Sequence, residues 1–299
     1  MHILITGAGG FLGSVALHHA IALPGVTITA LRSGTQRLPL SVTTNEIFLD
    51  ESSSLAHLTA ALHTNTPSHI LHIGALSSPE ACEKDPVAAE RSNVTLTKIL
   101  CEYAGHIGAH ITFVSTDLIF GGTKAPVGGF KPEDPPSPSS VYSKTKLAAE
   151  KLVLESGRGA VARVSLIYGH SPSPAKGVLG WIERSFKEGT PVSLFHDEFR
   201  TPIHVQDVAT ALLSIARLKL LGRWHCGGPT RLSRVEFGEK IAEALGYDAT
   251  LIVPSSRLDP LIHPARPEDV SLDSSKLTRF TGYAPLDVTS ALSTYRTWR

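Results

Sequence analysis

The 299-residue chain carries 28 Lys and Arg against 27 Asp and Glu, a formal charge of +1, and 42% of its residues are hydrophobic. This balance offers no basic surface to nucleic acid or an anionic membrane, and the apolar share suits a soluble protein with a real core. Three widely spaced cysteines (Cys82, Cys101, Cys226) and scattered histidines form neither a disulfide framework nor a metal-ligand set, which points to a reducing cytoplasm and no metal. No apolar run approaches a membrane span, and residues 1–13 lack the charged leader of a signal peptide.

His2 to Thr6 is a short apolar run suited to a strand buried on both faces. Gly7-Ala8-Gly9-Gly10-Phe11-Leu12-Gly13 follows at once, and Val15, Ala16, Leu17 and Ala20 continue on a helical period. Strand, glycine turn and helix make the context of a dinucleotide fingerprint. Gly7 and Gly10 permit a tight turn and close approach to a pyrophosphate, and Gly13 lets the helix pack near the strand. The helix start at Phe11 and Leu12 offers free N–H groups and a positive dipole to the phosphates.

A second strand is expected over 26–31. Its end normally selects the cofactor, because a carboxylate there bonds the ribose hydroxyl of NAD. No Asp or Glu precedes Glu46; Arg32, Ser33 and Arg37 stand there instead, which suits a 2′-phosphate. NADP(H) is therefore favoured, with NAD(H) possible. Further strands are expected over 46–49, 69–73, 110–114 and 160–166, a returning strand within 222–228, and helices over 53–62 and 87–103. Alternating strands and helices imply an α/β, Rossmann-type, doubly wound parallel sheet.

The fifth strand runs into Ser115-Thr116-Asp117-Leu118-Ile119-Phe120. Chemistry gathers at the carboxyl ends of strands in such sheets, and a hydroxyl there can bond a substrate carbonyl. Gly- and Pro-rich chain over 121–139 excludes regular structure and leads to Tyr142-Ser143-Lys144-Thr145-Lys146, with Ser139-Ser140 able to cap a helix. Tyr142 and Lys146 share a helical face, so the ammonium is expected to lower the phenol pKa and make Tyr142 a proton donor or acceptor.

The glycine spacing at 7, 10 and 13, the Ser-Thr-Asp turn and the Tyr-x-x-x-Lys pair together resemble the extended short-chain dehydrogenase/reductase family. Segments 200–209 and 266–273 resemble its dTDP-4-dehydrorhamnose reductase branch. The resemblance implies a catalytic set of Thr116, Tyr142 and Lys146, with Tyr142 and Lys146 also meeting the cofactor. It implies adenine contacts at Asp50 and Glu51, passage of the cofactor over Ala75 and Leu76, and a structural Asn93. Ser115, Thr116, Phe120 and Tyr142 would border the substrate, and Arg200 and Arg266 are candidate diphosphate ligands. Dehydratases of the superfamily have a Thr-Asp-Glu arrangement; Leu118 stands in place of that Glu, which disfavours elimination.

The implied division is a dinucleotide-binding domain over 1–165, rejoined by about 201–226, and a substrate-binding part over about 166–200 and 227–299. The implied activity is NADPH-dependent reduction of a keto group on a nucleotide-linked deoxysugar, with a nucleotide sugar as partner and a possible homodimer. Alternatives are a sugar-nucleotide epimerase, a reductase of another carbonyl, or an NADP-binding regulatory subunit resembling the methionine adenosyltransferase beta subunit.

Overall fold

Apolar runs of four to seven residues, too short for stable helices and separated by amphipathic helices, are drawn into one parallel sheet. The computed structural model describes residues 1–33, 45–49, 55–63, 65–173, 177–262 and 264–295, with the backbone alone described at 32–33 and 45–49. In chain order the first half contains β1 (His2–Thr6), α1 (Phe11–Ile21), β2 (Thr27–Ser33), β3 (Asn45–Leu49), α2 (Leu55–Leu62), β4 (His69–His72), α3 (Pro79–Lys84), α4 (Pro86–Glu90), α5 (Leu96–Ile107), β5 (His110–Thr116), α6 (Val141–Glu155) and β6 (Gly159–Val164). The second half contains β7 (Ile167–Tyr168), α7 (Gly177–Glu188), β8 (Val192–Phe195), β9 (Phe199–Arg200), β10 (Ile203–His204), α8 (Val205–Arg217), β11 (Gly222–Cys226), β12 (Leu232–Ser233), α9 (Arg234–Leu245), β13 (Ile252–Ser255), α10 (Ser275–Thr281) and α11 (Val288–Thr294).

Seven strands form the central sheet in the order β11-β6-β5-β4-β1-β2-β3, all parallel. The order reverses between β1 and β4, the switch point at which such sheets bind ligands. Helices cover both faces, so the fold is a doubly wound α/β sheet. On one face α1 and α8 bury Val15, Leu17, Val208, Leu212 and Ile215 against Ile3 and Ile5. On the other, α2, α5 and α6 bury Leu58, Leu100, Tyr103, Ala149 and Val153 against Leu4, Ile70, Ile111 and Phe113. The expected strands are present with ends shifted by one or two residues. The helix expected over 87–103 is interrupted: a π turn at Arg91–Thr95 separates α4 from α5. Such turns carry one extra residue and often mark functional sites.

A second core lies outside the sheet. There α7, α9 and α11 pack Leu179, Ile182, Phe237, Ile241 and Val288 over Val192 and Leu194. Small two-stranded pairings, β10–β7, β12–β9 and β13–β8, hold this part together. The chain then turns back, and Leu277 of α10 joins the core of the sheet face covered by α8.

Several histidines are built into these cores as neutral rings. Burial lowers His69 from its ordinary value to about 4, and His72, His204 and His225 to about 3. Above the unfolded value near 6.5 both states are neutral and these groups cost nothing. As pH falls from about 6.5 toward 3–4 the unfolded chain binds protons that the folded chain refuses, and stability is lost. The melting temperature should therefore fall steadily between pH 6.5 and pH 4, before most carboxylates titrate. A melting series by circular dichroism checks this, and a flat profile down to pH 4 would contradict it.

Candidate active site

The turn after β1 admits only glycine at two positions. Gly7 has φ +68°, and a Cβ there would sit 2.7 Å from the Gly74 Cα; a Cβ on Gly13 would sit 1.9 Å from the Gly7 carbonyl oxygen. Gly10 precedes α1 with no side-chain cap, which leaves the helix start open to an anion. The Thr6 hydroxyl accepts the N–H groups of Ile73 (3.0 Å) and Gly74 (2.9 Å), fixing the ends of β1 and β4 side by side. Ala75 and Leu76 continue from there, half-buried. From the second half of the chain, Ser171 donates to the Phe11 carbonyl and Ser173 to the Gly9 carbonyl, both at 2.9 Å. This glycine cradle and open helix start fit the pyrophosphate of a dinucleotide. Arg32 and Ser33 close β2 at the same edge of the sheet; their side chains, and Arg37, Asp50 and Glu51 altogether, lie outside the described residues.

Ser140 caps α6 in a reciprocal pair with Ser143: the Ser143 N–H donates to the Ser140 hydroxyl (3.2 Å) and the Ser140 N–H to the Ser143 hydroxyl (3.0 Å). The cap sets Tyr142 in the first turn, and Tyr142, Lys146 and Glu150 follow on one face at helical spacing. All three are buried. They look onto Phe113 and Ser115, alternate residues on one face of β5. The Lys146 ammonium lies 4.0 Å from the Phe113 ring centroid, and Ser115 donates to Glu150 at 2.6 Å. Arg163 clamps the same carboxylate through Nε and Nη2, the latter at 2.8 Å. Ser115 is thus turned toward Glu150, away from the role of substrate hydroxyl expected for it.

Thr116, Tyr142 and Lys146 do come together at the end of β5. The Thr116 hydroxyl accepts the Leu118 N–H (3.2 Å) and lies within hydrogen-bonding reach of Tyr142. The electrostatics differ from the sequence expectation. Burial, with the Asp117 carboxylate adding to it, pushes the Tyr142 phenol well above its ordinary value. Burial also lowers Lys146 to about 7, with Glu150 opposing the fall. The buried lysine does not pull the phenol down, and burial favours the neutral form of Tyr142.

Arg200 is buried inside the protein. Its Nε and Nη2 donate to the two Asp117 oxygens at 2.7 and 2.5 Å, and its Nη1 reaches Glu198 at 3.3 Å. Ser165 donates to the same Asp117 at 2.8 Å. These bonds take three of the five guanidinium N–H groups and hold Arg200, expected as a diphosphate ligand, against Asp117 and Glu198. Phe120 has no exposed surface; it stacks on Phe130 at 4.1 Å and so lies in the core rather than against a substrate. Arg266 sits at the rim, bonded to Glu80 at 2.6 Å, in a small cleft it shares with Leu118, Ser139 and Pro267.

Two supports, Glu150 and His72, escaped the sequence reading, while Asn93 is the structural residue that the resemblance implies. Asn93, presented by the π turn, accepts the Leu76 N–H (2.8 Å) and donates to Thr145 (3.0 Å), which joins the end of β4 to α6. His72 accepts from Thr6 through Nδ1 (2.7 Å) and donates through Nε2 to Thr97 (2.9 Å), which itself donates to the Asn93 carbonyl. Because Thr6 already accepts two backbone N–H groups, its own proton goes to His72, which fixes the neutral Nε2–H tautomer. A relay therefore runs from the glycine turn to the helix that carries Tyr142. The signal for Glu150 was its spacing of four from Lys146; nothing local marks His72.

The model of the RmlD substrate binding domain matches residues 1–297. Methionine adenosyltransferase 2 subunit beta of Rattus norvegicus is 31% identical over 282 residues, covering 92% of this chain and 81% of that protein. A probable low-salt glycan biosynthesis reductase, Agl14, of Haloferax volcanii is 27% identical and covers 93% and 91%. A dTDP-4-dehydrorhamnose reductase of Bacillus anthracis, solved in complex with NADP, superposes with a TM-score of 0.81 at 20% identity, over 98% and 97% of the two chains. With its glycine cradle and its Thr-Tyr-Lys set on such a sheet, the chain belongs to the RmlD substrate binding domain family, within the NAD(P)-dependent oxidoreductases of the extended short-chain dehydrogenase/reductase type.

Proposed function

We propose that the protein reduces a keto group on a nucleotide-linked deoxysugar with NADPH, as a dTDP-4-dehydrorhamnose reductase does. The observation that carries this reading is the Tyr142 phenol, buried beside Thr116 at the end of β5 with Lys146 one helical turn on. When bound, the nicotinamide cofactor supplies a hydride. Tyr142 donates the proton that the reduced oxygen requires, and its high pKa keeps that proton in place until negative charge develops on the substrate. Thr116 orients the carbonyl by a hydrogen bond. Lys146 stabilises the phenolate left on Tyr142. Glu150, itself held by Arg163 and Ser115, favours the charged form of Lys146. Leu118 is apolar where elimination would need a second carboxylate.

Consumption of NADPH with dTDP-4-dehydrorhamnose tests the reading. A second reading is supported by the 31% identity to methionine adenosyltransferase 2 subunit beta: a nucleotide-binding partner protein that does no chemistry. A chain that binds NADPH yet reduces no keto-sugar nucleotide would favour it.

Two outcomes follow. Arg32, Ser33 and Arg37 stand where NAD enzymes place a carboxylate, so NADPH should bind more tightly than NADH, and Arg32→Asp should remove most of the difference. Titration by nicotinamide fluorescence checks this; equal affinities in the parent chain would contradict it. Lys146 titrates near 7 and is useful to Tyr142 only when charged, so the turnover number should fall as pH rises through about 7. Lys146→Met should be slow at every pH and lose that inflection. A variant that keeps the parental profile would remove Lys146 from the mechanism.

A further inference from the structure

Lys146 and Glu150 stand on α6 at the spacing where a lysine and a glutamate pair along a helix. Here they do not pair. Among the described residues the Lys146 ammonium makes no ion pair and no hydrogen bond; it lies over the Phe113 ring, 4.0 Å from the centroid. The Glu150 carboxylate is taken from the side of β6. Arg163 Nε donates to Oε1 at 3.0 Å and to Oε2 at 3.2 Å, and Nη2 donates to Oε2 at 2.8 Å. The Ser115 hydroxyl donates to Oε1 at 2.6 Å. Both members of the ion pair are buried.

The far side of Arg163 is held as well. Its Nη1 donates to the Pro132 carbonyl at 3.0 Å and toward His225 Nε2 at 3.5 Å. His225 donates through Nδ1 to the Phe130 carbonyl at 2.9 Å, which leaves Nε2 as an acceptor. These partners are uncharged, so among the described residues Glu150 is the one carboxylate bonded to Arg163. A guanidinium fork holds both oxygens of a carboxylate, which a lysine ammonium does not, and Arg163 therefore wins the competition for Glu150.

The titratable groups that face Lys146 are few. They are Cys82 of α3, His72 of β4 and Tyr142 of its own helix, with Asp117 and Arg200 acting on Tyr142 and Glu83 bonded to the Val141 N–H. Burial raises the thiol and the phenol and lowers the imidazole, so Cys82, Tyr142 and His72 are uncharged at neutral pH. Glu150 is the carboxylate that acts on Lys146, and it does so without touching it.

We propose that Arg163 is a positioning residue for the reduction: it holds Glu150 turned away from Lys146, so that the ammonium stays unpaired for Tyr142. This rests on the reading that Lys146 serves Tyr142, and deepens it by giving control of that lysine to a residue of β6. Without Arg163, Glu150 would bond Lys146 directly, which would fix its charge and draw it off the phenol.

The test follows the Lys146 side chain across pH by NMR of isotope-labelled lysine, its signal assigned by loss in Lys146→Met, beside the pH profile of turnover with NADPH. In the parent chain Lys146 should titrate at about 7. In Glu150→Gln the attraction is gone and the Arg163 charge is uncompensated, so Lys146 should titrate at a pH roughly one unit or more lower. In Arg163→Met the freed Glu150 should move that titration roughly one unit or more higher. The fall in turnover should move with it, and turnover below that fall should drop by roughly 10- to 100-fold as the ammonium leaves Tyr142. An ion pair with a structural role alone would give both variants the same sign. Arg163→Lys keeps the charge but frees one carboxylate oxygen; it should move the titration upward by less, and so reads the same contact if Arg163→Met does not fold. An unmoved titration in Arg163→Lys, or shifts of one sign in Glu150→Gln and Arg163→Met, would overturn the assignment. Opposite shifts with an unmoved turnover profile would leave the assignment of Glu150 to Arg163 standing and overturn the reading that Lys146 serves Tyr142.

Discussion

The buried pair of Asp117 with Arg200 is the interaction on which the rest of the site depends. Asp117 directly follows β5 of the central sheet and Arg200 lies on β9, 83 residues later. Both carboxylate oxygens are used, and Ser165 and Thr116 satisfy what remains. Removing one partner of such a pair leaves an uncompensated charge, at a cost of about 3–5 kcal/mol. The pair fixes where the second core meets the sheet's carboxyl edge. It also sets the charge around Tyr142, since Asp117 raises the phenol and Arg200 opposes it.

Around this pair the chain arranges three further buried polar contacts with distinct tasks. Glu150, Arg163 and Ser115 anchor the back of Lys146. Asn93 ties the end of β4 to α6. His72 ties the glycine turn to the helix that carries Asn93. Together they join the glycine turn and the segment after β4 to α6, the helix that carries Tyr142 and Lys146. Positioning of this kind accounts for much of what a protein adds to cofactor chemistry. The neutral state of His72 follows from its burial, with Lys146 adding to it, and its two threonine partners fix the tautomer.

Much of this was legible in the residues. The glycines at 7 and 13 are required by contacts under 3 Å, and such a requirement survives in any reading of a strand, glycine turn and helix. The cap at Ser140 and the shared face of Tyr142 and Lys146 are local, so spacing alone was enough. Ser115 and Phe120 were misjudged because neighbours in a turn point to different sides, and only the register of β5 against α6 decides which. The surroundings of Arg200 were hidden for a different reason: its partner lies 83 positions away, and no local pattern shows that an arginine is bonded inside the protein. The strands of two to four residues in the second half carry too short a pattern to stand out from loop. The inversion of the Tyr142 and Lys146 pKa shifts arises from burial, which depends on the whole packed site.

The central claim is that Tyr142 supplies the proton, and single-turnover hydride transfer measures it most directly. NADPH is pre-bound to the parent chain and to Tyr142→Phe, dTDP-4-dehydrorhamnose is added, and loss of nicotinamide absorbance is followed at neutral pH. The ring and its packing remain in the variant, so NADPH affinity should be unchanged while the transfer rate falls by roughly 10²- to 10⁴-fold. Transfer at the parental rate in Tyr142→Phe would contradict the account.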